Sequence, residues 1–115
     1  MSVDVEALMF AVLSPISPGH VWNTHAADSE ISEHIVFTRI DVVPATTLAN
    51  GAPLENSHYQ IDIYKEQRVD AYTLATAVKN AMAGASFVNI RTNEYNGYED
   101  TVKLHRCALD YSVWA

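Results

Sequence analysis

The chain has 115 residues, which is enough for one domain with its own core and too few for two such domains. Hydrophobic residues make up 49% of it and charged residues 18%, so the composition excludes intrinsic disorder. The net charge of −7 excludes tight binding to nucleic acid through phosphate neutralisation, although an acidic protein can still face DNA without holding it.

A helix is predicted at the start of the chain, from a cap at Asp4 to about Leu13. Its apolar residues recur at spacings of three and four and form one stripe: Val5, Leu8, Met9 and Val12. The apolar run here is far shorter than the ~20 residues that a membrane span needs. No Lys or Arg precedes the run, which argues against a signal peptide. We therefore expect a cytosolic helix and no contact with a membrane.

Strands are predicted in the middle of the chain, around two polar segments. A short apolar piece, His20 to Trp22, precedes a loop-like stretch, Asn23 to Ser32. The segment His34 to Val43 is rich in β-branched residues and is predicted to be a strand, as is His58 to Tyr64, where apolar and polar residues alternate. Between them, residues 44–57 contain two prolines and an Asn-Gly pair and are too long for a tight turn, so we expect a long loop or hairpin arm.

The next segment is predicted to form a second helix, a strand and a turn. The helix is expected to run from a cap at Asp70 to near Ala83, where Gly84 stops it. Its apolar stripe consists of Leu74, Ala75, Val78, Ala81 and Met82. Ser86 to Thr92 is predicted as a strand, and Asn93 to Asp100, which contains a second Asn-Gly pair, as a turn.

The last strand is predicted from about Val102 to Trp114, with two different faces. One face carries Cys107, Leu109, Tyr111 and Val113, and the other carries Arg106, Asp110, Ser112 and Trp114. The order α, short β, β, β, α, β, β predicts an α+β fold in a single domain, residues 1–115. We expect one mostly antiparallel sheet with two helices packed on one face, Cys107 under the helices and Trp114 on the opposite face.

No residue pattern in the chain indicates catalysis, a cofactor or a metal. The five histidines lack the spacing of a metal motif, and no glycine-rich phosphate loop is present. The one cysteine, Cys107, excludes an internal disulfide and is expected to be a buried structural residue. Asp62 and Asp110 could form a carboxylate pair if their strands were neighbours, but each is expected instead to meet an arginine such as Arg106 or Arg39. We therefore expect no enzyme activity, no cofactor and no metal.

Two strand motifs, with an Ala- and Leu-rich helix between them, stand in a fixed order in the second half. The first motif is carried by Ile61, Asp62 and Tyr64, and the second by Arg106, Leu109, Asp110, Tyr111, Val113 and Trp114. In this order the segment from about residue 34 to 115 resembles the tail completion proteins of long-tailed bacteriophages, whose strands have the types V-Q-I-D-x-Y/W and R-x-x-L-D-[FY]-x-V-W. Residues 23–32 and 44–57 have no counterpart in that pattern.

The resemblance implies a structural protein of the virion tail, assembled in the host cytoplasm. Relatives are similar in fold to tail terminators, which form a hexameric ring at the head-proximal end of the tail tube, end its polymerisation and dock the head connector. The implied partners are further copies of the chain, the tube protein, the connector protein, and genomic DNA that passes through the lumen without specific binding. For such a ring the candidate interface residues are Thr46, Thr47, Leu48, Asn50, Tyr64 and Trp114.

Three other interpretations stay open at this point. The chain could be a head-side connector or stopper protein that also forms rings. It could be a small α+β enzyme on a ferredoxin-like sheet that uses Asp62, Asp110 and a histidine. It could also be a monomeric ligand-binding module.

Overall fold

The computed structural model shows two helices and one five-stranded sheet, and it describes residues 5–17, 20–23, 33–43, 56–100 and 103–114. The elements are α1 (Val5–Leu13), β1 (Val21–Asn23), β2 (His34–Val43), β3 (Asn56–Lys65), α2 (Arg68–Ala83), β4 (Val88–Glu99) and β5 (Leu104–Trp114). The strand order is β1-β2-β3-β5-β4. β1 pairs with β2 in parallel, and the other three pairings are antiparallel. The predicted fold class, α+β with a mostly antiparallel sheet, is confirmed.

The core lies between the two helices and one face of the sheet. The helices contribute Val5, Met9, Leu13, Ala75, Val78 and Met82. The strands contribute three rows of paired residues: Ile35 with Ile63 and Cys107, Phe37 with Ile61 and Leu109, and Tyr59 with Tyr111. Burial of each large apolar side chain contributes about 1.5–3 kcal/mol. Both helices therefore pack on one face, as predicted, and the opposite face is referred to below as the outer face.

The start of α2 corrects one prediction, and its end confirms another. The helix begins at Arg68, and Gln67, which has an extended backbone and makes no side-chain cap hydrogen bond, stands at the N-cap. The earlier start is stabilised because the Ala71 N–H donates to the Gln67 carbonyl at 3.0 Å and Ala71 is buried. Asp70 is therefore not the N-cap. It lies in the first turn, where its negative charge interacts favourably with the helix dipole. Gly84 ends the helix, as predicted.

The course of β4 corrects the predicted turn. The strand runs without a break from Val88 to Glu99, so Asn96 and Gly97 lie inside a strand. Both residues pair with β5, and this long-range pairing overrides the local turn preference of Asn-Gly. The hairpin turns beyond Glu99 instead, where Lys103 adopts a left-handed φ of 56° and its N–H donates to the Glu99 carbonyl at 2.7 Å.

Other strand ends lie one or two residues from their predicted positions. β3 begins at Asn56, so Asn56 and Ser57 belong to the sheet and not to the predicted arm. β1 ends one residue later than expected, β4 begins at Val88 and not at Ser86, and β5 begins at Leu104. β2 has its predicted bounds. The rest of the arm, residues 44–55, lies outside the described residues, as do the Asp4 cap and residues 24–32.

The two faces of β5 are those predicted from its alternation. Cys107 is fully buried in the core beside Ile63, whereas Trp114 pairs with Asn56 on the outer face and is half-buried. Burial raises the pKa of the Cys107 thiol, and the negative charge of Glu94 raises it further. The thiol therefore stays neutral and behaves as a small apolar group.

We predict that Cys107→Asp destabilises the fold by roughly 3 kcal/mol or more, because it places an uncompensated carboxylate in the core. Cys107→Ala is the control and should cost only about 1 kcal/mol, since it removes one small apolar group. Denaturant unfolding of the purified chain measures both values. Equal stability of the two variants would contradict the burial of this strand face.

Candidate functional site: the outer face and the β4 edge

The outer face carries an ion pair between the two central strands. Arg106 on β5 donates from Nε to Asp62 Oδ1 on β3 at 2.9 Å, and its Nη2 lies 2.8 Å from the same oxygen. Its Nη1 lies 3.5 Å from Glu99 Oε1 at the end of β4. Burial lowers the pKa of Arg106, but the hydrogen bond to Asp62 and the electrostatic interactions with Asp62, Tyr64 and Tyr95 together outweigh it, so the net shift is upward. The guanidinium is therefore a fixed positive charge held between two carboxylates.

Further side chains extend this ion pair into a network across three strands. The Gln60 amide on β3 donates to Asp62 Oδ1 at 2.9 Å and to Tyr95 Oη on β4 at 3.1 Å. The Arg106 guanidinium carbon lies 5.7 Å from the centroid of the Tyr95 ring, within the range of a cation–π contact. The network, consisting of Gln60, Asp62, Tyr95, Glu99 and Arg106, fixes β3, β5 and β4 relative to one another.

An aromatic pair lies on the outer face between β2 and β3. The rings of His34 and Tyr64 stack with centroids 4.6 Å apart and an interplanar angle of 19°. His34 is buried, and Tyr64 is half-buried. Burial raises the pKa of Tyr64, and the negative charge of Asp62 adds to the shift. Tyr64 is therefore a rigid neutral ring next to the polar network.

Of the six predicted interface residues the structure describes two, Tyr64 and Trp114, and these lie near opposite ends of the β3–β5 pairing. Tyr64 pairs with Arg106 in the sheet register, whereas Trp114 pairs with Asn56 near the other end of β3. Tyr64 lies eight positions along β3 from Asn56, which corresponds to roughly 26 Å at the usual rise per residue. The other four candidates, Thr46, Thr47, Leu48 and Asn50, lie outside the described residues.

Asp62 and Asp110, the two carboxylates of the enzymatic interpretation, lie on neighbouring strands, β3 and β5. Asp62 pairs with Ala108 in the sheet register and Asp110 with Gln60, so the two aspartates are not opposite each other, and Asp62 is bound by Arg106. Asp62 thus meets an arginine, as expected from the sequence. In the described ranges, no group of three or more His, Cys, Asp or Glu side chains is placed to hold a metal ion.

The β4 edge is a surface that the sequence analysis missed. β4 is the last strand of the sheet, and large apolar side chains are exposed along it: Val88, Ile90, Tyr95 and Tyr98. Val88 and Ile90 are 62% and 57% exposed. The alternation of Val88 and Ile90 with polar residues was visible in the sequence, but the Asn-Gly pair ended the predicted strand too early.

We predict that Asp62→Ala destabilises the chain by roughly 1–3 kcal/mol, because Arg106 then loses its principal acceptor while staying partly buried. The matched control is Asp110→Ala, which changes the same residue type on the same face without touching Arg106, and it should cost less. Thermal unfolding of both variants provides the comparison. If Asp110→Ala were the more damaging change, the ion pair would not hold the central strands.

A family model described as "Tail completion protein gp17" matches residues 7–115 of the chain. A solved chain from a "Virion of native gene transfer agent (GTA) particle" has a similar structure, with a TM-score of 0.68 over 90% of this chain and 84% of that chain. Its sequence identity is 15%, so this likeness shows the fold alone. No curated protein matches the sequence. In the part of the chain that the structure describes, no helix is long and apolar enough to span a bilayer. The chain therefore belongs to the tail completion protein gp17 family, and it is a structural protein of the phage tail.

Proposed function

We propose that the chain is a tail terminator, which forms a ring at the head-proximal end of the tail tube. The ring ends polymerisation of the tube and provides the surface on which the head connector docks. The observation that carries this proposal is the family match over residues 7–115, because tail completion is the step that follows tube assembly. The α+β sheet, shared with a chain of a phage-like particle, supports it.

The proposed ring contains six copies joined by one repeated contact. A closed ring needs a heterologous contact, in which one surface of a subunit meets a different surface of the next. The sheet has two different edges, β1 and β4, and two different faces, so it offers the distinct surfaces that such a contact requires. The proposed partners are further copies of the chain, the tube protein and the head connector.

The acidity of the chain suits a ring through which DNA passes. The net charge of −7 means that a lumen formed by several copies repels the phosphate backbone. Because negative side chains do not attract the phosphates, the genome passes through the ring without being bound. We propose accordingly that DNA is a passing partner and that the chain catalyses no reaction on it.

The proposed interface consists of Thr46, Thr47, Leu48, Asn50, Tyr64 and Trp114. The first four belong to the arm that joins β2 to β3, and long connections of this kind commonly carry function. Trp114 is a half-buried aromatic residue on the outer face, where no described helix covers it. A large aromatic residue in such a position is typical of interface centres.

Imaging of assembled particles tests the location. We predict one ring of six copies, one subunit thick, between the tail tube and the head connector. Density for the protein at the distal tip or along the tube would contradict the proposal. Density on the head side of the connector would favour the alternative of a stopper or connector protein.

Deletion of Thr46 to Pro53 tests the arm. Four residues (44, 45, 54 and 55) would then join Val43 to Asn56, which pair with each other in the antiparallel sheet, and a loop of four residues suits such a hairpin. We predict that the shortened chain folds with an unchanged melting temperature and fails to complete tails. Normal joining of heads to these tails would show that the arm has no role in assembly.

Replacement of Trp114 separates folding from assembly. We predict that Trp114→Ala costs the free chain on the order of 1 kcal/mol, as for a partly exposed side chain, and strongly impairs tail completion in an extract. Trp114→Phe keeps an aromatic ring and should retain most of the activity. An unfolded Trp114→Ala chain would mean that Trp114 belongs to the core and not to an interface.

A further inference from the structure

Two surface recesses each contain a charged side chain that has no partner in the described part of the chain. Most of the described cations are already bound to carboxylates of the same chain: Lys65, Lys79, Arg91 and Arg106. In contrast, the side chains of Arg68 and Asp110 form no hydrogen bond and no ion pair with any residue of the described ranges. These two opposite charges are therefore free to bind a partner.

The Asp110 recess lies on the outer face of the sheet. It has a volume of about 260 Å³, and its outer-face lining is made by Ile40, His58, Gln60, Thr92 and Asp110. Asp110 is half-buried, and Ile40 beside it is 57% exposed. Ile90, equally exposed, pairs with Ser112, two residues from Asp110 on the same face. A carboxylate flanked by exposed isoleucines suits an arginine, whose stem covers apolar surface while its guanidinium binds the carboxylate.

The Arg68 cleft lies on the helix side of the sheet, between the start of α2 and the β4–β5 hairpin. It has a volume of about 330 Å³, and Arg68 is exposed at it. Tyr72 of α2 and Tyr98 of β4 line the same cleft and are 44% and 49% exposed. The Tyr98 ring contacts the His105 ring edge-on, with centroids 4.9 Å apart. Arginine and tyrosine are enriched at the energetic centres of protein interfaces, so this cleft has the composition of a docking surface.

We propose that the Arg68 cleft of one copy docks on the Asp110 recess of the next copy, with the Arg68 guanidinium bound to the Asp110 carboxylate. This inference rests on the proposed ring and names the contact that joins its subunits. The two surfaces lie on opposite faces of the sheet, so a copy that uses one of them keeps the other free. The same contact can therefore repeat from copy to copy, as a heterologous ring requires.

The acidity of the chain makes this pairing more specific. With a net charge of −7, most approaches of one copy to another bring like charges together and are disfavoured. Contact between Arg68 and Asp110 instead joins opposite charges that have no partner among the described residues. The exposed tyrosines of the cleft would meet the exposed isoleucines of the recess and exclude water around the ion pair, which strengthens it.

Exchange of the two charges tests the contact. Arg68→Asp and Asp110→Arg each bring like charges together, so we expect each to lower the yield of joined particles by about tenfold or more. The double variant restores an opposite pair in the reverse order, and its yield should return to within about threefold of the wild-type value. Full yield from Arg68→Asp, or a double variant no better than the single variants, would overturn the proposal.

Neutral variants control for net charge and for folding. Arg68→Gln and Asn80→Asp each lower the net charge by one at an exposed position of α2, but only the first removes the proposed partner of Asp110. We expect only Arg68→Gln to lower the yield, and equal yields would overturn the proposal. All free chains should melt near the wild-type temperature. If Asp110→Arg melts lower, Asp110→Asn replaces it, and an undiminished yield from Asp110→Asn would overturn the proposal.

A zero-length cross-link tests the contact between copies directly. Arg68→Lys keeps the positive charge and supplies an amine, which a carbodiimide couples to a carboxylate in contact with it. In purified particles we expect peptides that join position 68 of one copy to Asp110 of another. The two positions lie on opposite faces of the sheet, so the free chain at low concentration should give no such link. Absence of the link from assembled particles would overturn the proposal.

Imaging of the same particles keeps the two proposals apart. If the ring lies between the tube and the connector but exchange of the charges restores no yield, the proposed function stands and the proposed contact is wrong. If the cross-link forms but the protein lies elsewhere in the particle, the contact is supported and the terminator function fails.

Discussion

The antiparallel pairing of β3 with β5 is the contact on which the rest of the structure depends. It runs without a break from the Asn56–Trp114 pair to the Lys65–His105 pair at the centre of the sheet. In this register Ile61 and Leu109 meet under the helices. A slip of one residue would turn the apolar side chains of one strand away from the core, so the two-sided pattern excludes it.

The ion pair between Asp62 and Arg106 reinforces that register from the outer face. Removing both charges from water costs free energy, so a mostly buried pair contributes modest net stability. The ion pair instead disfavours other registers of β3 and β5, because a shifted strand would leave one charge buried without its partner. Gln60 donates hydrogen bonds to both Asp62 and Tyr95, so it links the ion pair to β4. The side chains of β4 are mostly exposed, so burial contributes little to holding this strand. A polar network thus positions the strand that the core does not cover.

Much of the fold followed from the sequence because each interior element has a strong local pattern. The alternation in β3 and β5 and the stripe of α2 gave the element types, the buried face and the opposite placement of Cys107 and Trp114. The start of α2 was misplaced because an aspartate at Asp70 suggests a cap, whereas packing of Ala71 decides where the helix begins. β4 was cut short because its Asn-Gly pair is a strong turn signal and its exposed side chains show no buried face. The sequence analysis named Arg106 as one of two arginines that could bind the aspartates. It missed the exposed edge, because the order of strands in the sheet decides which strand is at the edge, and that order depends on pairing between distant segments of the chain.

The wide separation of the central strands along the sequence has a consequence for how the chain folds. Lys65 and His105 are paired, yet α2 and β4 lie between them, so the central pairing closes a long loop. The β4–β5 hairpin, in contrast, needs only the short turn at Lys103. Loop closure costs more entropy for the distant pair, so the hairpin can form early and present β5 as a template for β3. A hairpin that forms before it pairs with β3 exposes the apolar face of β5, and exposed apolar surface of this kind favours association with other chains.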